Sequence, residues 1–276
     1  MSIQWFPGHM AKARRLLAEQ LQVVDVVIEL ADARIPLSSR NPILKELLGT
    51  KPRLLLLNKA DLADESWTKR WLRVLQDDAT ALAVSATTGQ GFRRIIPELE
   101  RLASGQMAKL AAKGVRPRSM RIMVVGIPNI GKSTLINQLA GGAKAKTGNK
   151  PGVTRGNQWI RIHEKVELLD TPGLLWPKFE DPQVGLKLAA TGAIKDEVFN
   201  QEELAEWLLE WLKTYNIEAL AAYQAKGVEL TLEGIGRARG CLVQGGEVDR
   251  LKAAQQILRD FRQGGLGRNT LDRLLL

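Results

Sequence analysis

The sequence predicts an α/β protein built on a phosphate-binding loop, with a small all-α domain behind it. Three observations predict it. Apolar, often β-branched runs alternate with amphipathic helical stretches up to about Pro177. One such run, Ile122–Val125, leads directly into Gly126-Ile127-Pro128-Asn129-Ile130-Gly131-Lys132-Ser133 and then a helical stretch, Ser133–Leu139. Strand, glycine-rich loop ending in Gly-Lys-Ser, and helix make a phosphate-binding loop. Beyond Trp176-Pro177 the pattern is helical only.

The bulk properties bound the rest. A chain of 276 residues is one large domain or two ordinary ones, and the expected division is 1–178 and 179–276. No apolar run approaches the roughly 18 residues of a membrane span, and Met1–Met10 has no secretory pattern. A lone cysteine, Cys241, excludes an internal disulfide and a cysteine-based zinc site. With only His9 and His163, a histidine-rich metal site is not expected. The simplest compartment is the cytosol, with no membrane contact. The net charge of +10 is uneven: 29 Lys/Arg face 17 Asp/Glu through Ile194, and 11 face 13 from Lys195 onward. A single nucleotide does not need an excess of +12, whereas a polyanion such as RNA would use it.

Taken in order, Trp5-Phe6-Pro7-Gly8-His9-Met10 reads as a turn. A helix follows from about Met10 to Gln22, with Met10, Ala13, Leu16, Leu17 and Leu21 on its apolar face. Val23–Leu30 reads as a buried strand ending in Ala31-Asp32-Ala33-Arg34-Ile35-Pro36. Loops at strand C-terminal ends carry function in open α/β sheets. Asp32 could equally cap a turn, and the roles of Asp32 and Arg34 stay open. Arg53–Leu57 is a second strand and runs into Asn58-Lys59-Ala60-Asp61. Trp67–Gln76 reads as a helix, Thr80–Val84 as a third strand ending in Ser85-Ala86-Thr87, and Gly91–Ala103 as another helix. Ser104–Arg121, with Gly105, Gly114, Pro117 and five basic residues, reads as a connector with some helix and a candidate RNA contact.

After the phosphate loop, Gly141–Gly156 is a long Gly- and Lys-rich loop containing Pro151-Gly152-Val153-Thr154. Asn157–Ile162 and Val166–Leu169 read as a β-hairpin ending at Asp170-Thr171-Pro172-Gly173. In the helical part, Asn200 caps a helix with Leu204, Trp207, Leu208, Trp211 and Leu212 on one face. Val248, Leu251, Leu258 and Phe261 mark another helix, stopped by Gly264-Gly265, and Asn269 or Thr270 would cap a last one.

These segments carry a coherent chemistry. The Asp61 carboxylate can accept the N1 and 2-amino N–H groups of guanine, a pair adenine lacks. Asn58 would brace that loop and contact the base, Lys59 would lie along the ring, and the Ser85-Ala86 backbone would offer N–H to guanine O6. Backbone N–H groups of Ile130, Gly131, Lys132, Ser133 and Thr134 would close around the phosphates at a helix N-terminus. Lys132 adds a point charge for the β- and γ-phosphates, and Ser133 is placed for Mg²⁺. Thr154 in the first switch would close on Mg²⁺ and the γ-phosphate. Asp170 would hold Mg²⁺, and the Gly173 N–H would face the γ-phosphate.

The elements of a guanine-nucleotide site are all present, but their order is rotated: the base-reading loops precede the phosphate loop. Ser104–Arg121 would join the old ends. The new cut falls just after Gly173, so the second switch leads into the helical domain. Nucleotide state would then be read out as the pose of residues 180–276.

This order resembles the circularly permuted GTPases. The start Trp5-Phe6-Pro7-Gly8-His9-Met10, the loop Asp32-Ala33-Arg34-Ile35-Pro36 and the segment Arg239-Gly240-Cys241-Leu242 resemble the ribosome biogenesis GTPase A family over essentially the whole chain. The resemblance implies a GTPase acting late in assembly of the large ribosomal subunit. It would bind GTP and GDP and contact ribosomal RNA and ribosomal proteins of the large-subunit precursor. The free protein is expected to be a monomer. GTP hydrolysis would time an assembly step and release the protein; the alternative is a GTP-gated RNA-binding scaffold in which hydrolysis is incidental.

Where many GTPases place a water-orienting glutamine, this chain has Leu174-Leu175, so slow intrinsic turnover is expected. Two groups could supply what is missing. His9 could swing to the γ-phosphate and accept a hydrogen bond from water, or it merely fixes its turn; the resemblance points to this histidine. Asn129 resembles the ligand of potassium-activated GTPases, and a bound K⁺ would place charge where an arginine finger otherwise sits. His163, beside Glu164 on the hairpin, reads as a surface residue.

Overall fold

A computed structural model describes residues 15–116, 118–141, 159–169 and 181–274. Trp5, Phe6, His9, Thr154, Asp170 and Gly173 lie outside the described residues, as does the boundary at 178 and 179.

Six strands form one sheet among the described residues, in the order β3-β2-β1-β4-β6-β5. They are β1 (Val26–Asp32), β2 (Arg53–Asn58), β3 (Thr80–Ala83), β4 (Met120–Val125), β5 (Trp159–His163) and β6 (Val166–Leu169). All neighbours pair parallel except β5, which runs antiparallel to β6. The central strands are near-continuously apolar because helices cover both faces of a parallel sheet. Every residue of β1 is buried.

Alternation sorts β1 between two layers. Val26, Ile28 and Leu30 face a core shared with α4 (Ile95–Ala112) and α5 (Lys132–Leu139). Val27 packs with helix α1 (residues 15–21) and α2 (Pro42–Leu48), and Ala31 with α3 (Glu65–Leu75). The permutation join is pinned at the start of β1. There the buried Asp25 carboxylate accepts bonds from both Arg118 Nη atoms (2.7 and 2.8 Å) and from the Arg121 N–H (2.8 Å).

From residue 181 the described chain is helical and irregular, apart from a single bridge between Leu242 and Val248. Its helices are α6 (Pro182–Ala190), α7 (Gln201–Tyr215), α8 (Ala221–Gln224), α9 (Leu232–Ala238) and α10 (Arg250–Gln263). Asn200 caps α7 as expected, accepting from Glu202 and Glu203 N–H. Gly264 ends α10 in the left-handed region at φ 83°. Leu188, Leu208, Leu212, Ile257 and Phe261 belong to the same apolar cluster as Ile28 and Val124.

Several boundaries differ from expectation. β1 starts at Val26 rather than Val23, because Val23 and Val24 instead join the cluster beneath α1 and α2. α4 runs to Ala112, well into the expected connector; Ala108, Leu110, Ala111 and Ala112 favour helix, and Met107 packs on the core. Leu16 and Leu251 are 41% and 47% exposed, so neither joins its helix's buried face; on α10 that face is Ala253, Ala254, Ile257, Leu258 and Phe261.

Neither Asn269 nor Thr270 caps a helix. The tail after α10 is an extended strap, because its polar groups are satisfied across the fold rather than along a helix. The Asn269 N–H donates to Leu62 O (3.1 Å), Thr270 Oγ1 accepts from Asp64 N–H (3.2 Å), and Leu271 N–H donates to Arg34 O (2.7 Å). The buried Asp272 carboxylate takes the N–H groups of Leu37 and Ser38 (2.8 Å each), the Ser38 hydroxyl (2.7 Å) and Lys187 Nζ (2.9 Å).

Candidate functional site

The C-terminal ends of β1, β2, β3 and β4 converge on a cavity of about 460 Å³. Its wall contains Asn58, Lys59, Asp61, Ala86, Thr87, Asn129, Gly131 and Thr134. The base-reading and phosphate loops, far apart in sequence, therefore meet. A larger groove of about 740 Å³ opens at the opposite, N-terminal edge of the sheet, lined by Glu100, Glu164 and Glu167 among others. Arg118 and Lys165 also line it, but it holds no glycine-rich loop of the kind that cradles the phosphates of a nucleotide.

The phosphate loop turns directly from β4. A Cβ on Gly126 would lie 2.7 Å from Leu30 O, and one on Gly131 (φ 102°) would collide with Asn58 Nδ2, so both positions require glycine. Lys132 Nζ donates to Ile127 O (2.7 Å) and Gly126 O (3.1 Å), folded back over its own loop. Burial pushes its pKa down to about 8. Ile130 points its side chain into the core, leaving its backbone to the loop. Ser133 and Thr134 stand exposed in the first turn of α5.

Asn58 ties three loops together. Its Nδ2 donates to Ile130 O (2.9 Å), and its Oδ1 accepts the Ala86 N–H (2.9 Å). Ser85 lies fully buried beneath the cavity, its N–H donated to Gln90 O (3.0 Å). Lys59 and Asn129 both adopt left-handed backbone, φ 60° and 57°. The strain is offset where they meet: Lys59 Nζ donates to Asn129 O (3.2 Å) and pairs with Asp32 (3.1 Å).

Curated relatives match this chain over almost its whole length. "Ribosome biogenesis GTPase A" of Bacillus cereus is 49% identical, over 99% of this chain and 94% of the relative. This chain belongs to the ribosome biogenesis GTPase A family. It is a GTP hydrolase with a circularly permuted P-loop GTPase fold. The namesake of Bacillus licheniformis is also 49% identical, over 97% of this chain and 96% of its own. "Mitochondrial ribosome-associated GTPase 1" of Mus musculus is 37% identical over 98% and 90%. A family model described as "50S ribosome-binding GTPase" matches residues 121–224. That match starts at the phosphate-loop strand and omits Asn58–Asp61, as the rotated order demands. Among solved structures, GNP-bound YlqF from T. maritima superposes with a TM-score of 0.67 at 27% identity, covering 95% of this chain and 98% of its own.

This family member also places at the cavity Arg34, whose role the sequence left open, and four residues that sequence reasoning passed over: Leu62, Thr191, Gly192 and Arg262. Arg34 sat in a loop already singled out for its position. Thr191, Gly192 and Arg262 had no signal, because they arrive from helical segments remote in sequence. His163 stays on the hairpin, its Nδ1 accepting the Lys165 N–H (3.3 Å), remote from the cavity wall. No helix among the described residues is long and apolar enough to cross a membrane.

Proposed function

We propose that this GTPase binds the maturing large ribosomal subunit in its GTP form and that hydrolysis times a late assembly step and its own release. The Asn58 bridge between base-reading and phosphate loops supports the nucleotide part. Asp61 would select guanine, and backbone N–H groups from Ile130 to Thr134 would hold the phosphates. Lys132 would leave its two loop carbonyls for the β- and γ-phosphates, a short swing that regains its charge partner.

Ser133, an exposed hydroxyl beside Lys132, offers the oxygen donor that Mg²⁺ takes; Thr154 and Asp170 would complete the set. Mg²⁺ there would neutralise charge on the phosphates. Asn129 is exposed, and its carbonyl already serves Lys59, which leaves its side chain for K⁺. His9 would accept a hydrogen bond from the attacking water. Thr154 and Gly173 would enclose the γ-phosphate. Residues 1–178 would bind the nucleotide, while 179–276 would contact ribosomal RNA and proteins. The protein would work in the cytoplasm as a free monomer.

The +12 excess before Lys195 supports a polyanionic partner. Leu174-Leu175 in place of a water-orienting side chain favours a second reading, a GTP-gated scaffold. One experiment separates them: GTP turnover in K⁺ buffer with purified large subunits, small subunits serving as control. Stimulation by large subunits alone is expected. GTP-dependent binding without stimulation would make the protein a scaffold, and neither effect would overturn the partner.

A further inference from the structure

Asp32 has more partners than a turn carboxylate needs. Its Oδ1 accepts the Arg34 N–H (3.0 Å) and Nε–H (3.0 Å), and its Oδ2 accepts from Arg34 Nη2 (2.8 Å). The same Oδ2 lies 3.1 Å from Lys59 Nζ. Burial opposes ionisation of Asp32, but Arg34 and then Lys59 hold it well below the ordinary carboxylate range. Lys59 is thus held by a fixed negative charge inside the base-reading loop.

Arg34 carries the connection outward. It is only 1% exposed. Its Nη2 donates to Thr191 O (3.1 Å), its Nη1 to Arg262 O (3.5 Å), and its guanidinium lies over the Phe261 ring at 5.8 Å. Thr191 caps the C-terminal end of α6, and Arg262 is in the last turn of α10. Both carbonyls belong to helix ends, where unpaired C=O groups concentrate negative charge. One guanidinium therefore serves Asp32 and two helix termini. Arg262 itself is held by Asp196 (2.8 and 3.1 Å) and by Ala189 O (2.9 Å). Arg34, Lys59, Thr191, Gly192 and Arg262 wall the same cavity as Asn58 and Asp61.

We propose that Asp32 and Arg34 are positioning residues for guanine recognition that make α6 and α10 a wall of the nucleotide site. This rests on the guanine-nucleotide reading above. Asp32 keeps Lys59 where its stem can lie along the base. Arg34 makes the seating of the two helix ends and the order of the base-reading loop one equilibrium. Nucleotide occupancy is then felt in the helical part at the base end of the site, independently of the second switch.

A double-mutant cycle on the full chain tests the first half, with a fluorescent GDP analogue as probe. Asp32→Asn should weaken GDP by about tenfold in the wild-type background. In a Lys59→Met background the same change should cost less than about twofold. An equal factor in both backgrounds would reduce Asp32 to a structural role. If Asp32→Asn does not fold, Asp32→Glu replaces it in the same cycle. Hydrogen exchange tests the second half. GDP should slow exchange in α6 and α10 of the wild type. Arg34→Lys, which keeps charge but loses the fork, should weaken GDP and abolish that slowing even at GDP concentrations that saturate the variant. No slowing in the wild type, or undiminished slowing in Arg34→Lys, overturns the wall. Wild-type protein that binds ADP as tightly as GDP overturns the underlying reading instead.

Discussion

At the residue scale, the proposed nucleotide site turns on two side chains, Lys132 and Asp61. Lys132 is half-buried with only carbonyls as partners, and burial lowers its pKa from 10.5 to about 8. A lysine depressed in this way is uncharged in part of the free protein above that pH, while the unfolded chain still holds its proton. The free fold therefore gains stability as pH climbs from about 8 toward 10.5. Phosphate demands the charged form, so binding above pH 8 takes up a proton. GDP affinity should be flat from pH 6.5 to 7.5 and about tenfold weaker at pH 9. Titrations at matched ionic strength would check this, and unchanged affinity at pH 9 would refute it. On the proposed reading, Asp61 would set identity where Lys132 sets charge. Asp61→Asn replaces two acceptors by one acceptor and one donor, which suits xanthine, with oxygen at C2, instead of guanine. GDP binding should fall by about a hundredfold and xanthosine diphosphate binding should rise. Competition between the two diphosphates measures both.

At the element scale, close helix packing gives a substitution whose sign runs against propensity. Gly236 lies within α9, where alanine is the better helix former by about 1 kcal/mol. Yet a Cβ there would stand 2.7 Å from Val248 Cγ1 and 2.9 Å from Ala253 Cβ. Gly236→Ala should thus cost about 1–3 kcal/mol by forcing α9 from α10. A thermal melt reads the loss, and a rise in Tm would mean that the two helices separate freely. The same scale shows what was legible in the sequence. Buried parallel strands announce themselves as apolar runs, so β2 and β4 were found within two residues of their ends. Glycine loops are local, so the phosphate loop was legible outright. The strap from Gly265 to Leu274 has no period, because its order comes from bonds to the loop after β1, to α3 and the residues before it, and to α6, all remote in sequence. Arg34 at 1% exposure was illegible for the same reason: arginine reads as surface until Asp32, Thr191 and Arg262 are seen around it.

At the scale of the whole molecule, permutation relocates the ends of the fold without changing which loops meet. Asn58 and Ile130 touch although 72 residues separate them. The join that makes this possible runs from the C-terminal part of α4 into β4, and it is basic on its outer side. Lys109, Lys113 and Arg116 are exposed. No acidic residue occurs between Arg101 and His163, so these three cations have no acidic neighbour within their own segment; the carboxylates of Asp25, Glu100 and Glu167 at this edge pair instead with Arg118, Lys165 and Arg121. It lies at the N-terminal edge of the sheet, opposite the nucleotide cavity. Such a face can hold RNA phosphates while the cavity stays open to GTP. Phosphate contacts release counterions, so binding to large subunits should weaken steeply and log-linearly with salt. Replacing Lys109, Lys113 and Arg116 together by Glu should flatten that slope by roughly two to three units, about one for each lost contact. Particle co-sedimentation across a salt series gives the slope, and the Tm of the variant controls for folding. An unaltered slope with weaker binding would place the RNA contact elsewhere on the positive part of the chain. An unaltered slope with unaltered affinity would mean that the join serves only to close the permuted sheet, through Asp25 and Arg118, and that its charge is solvated.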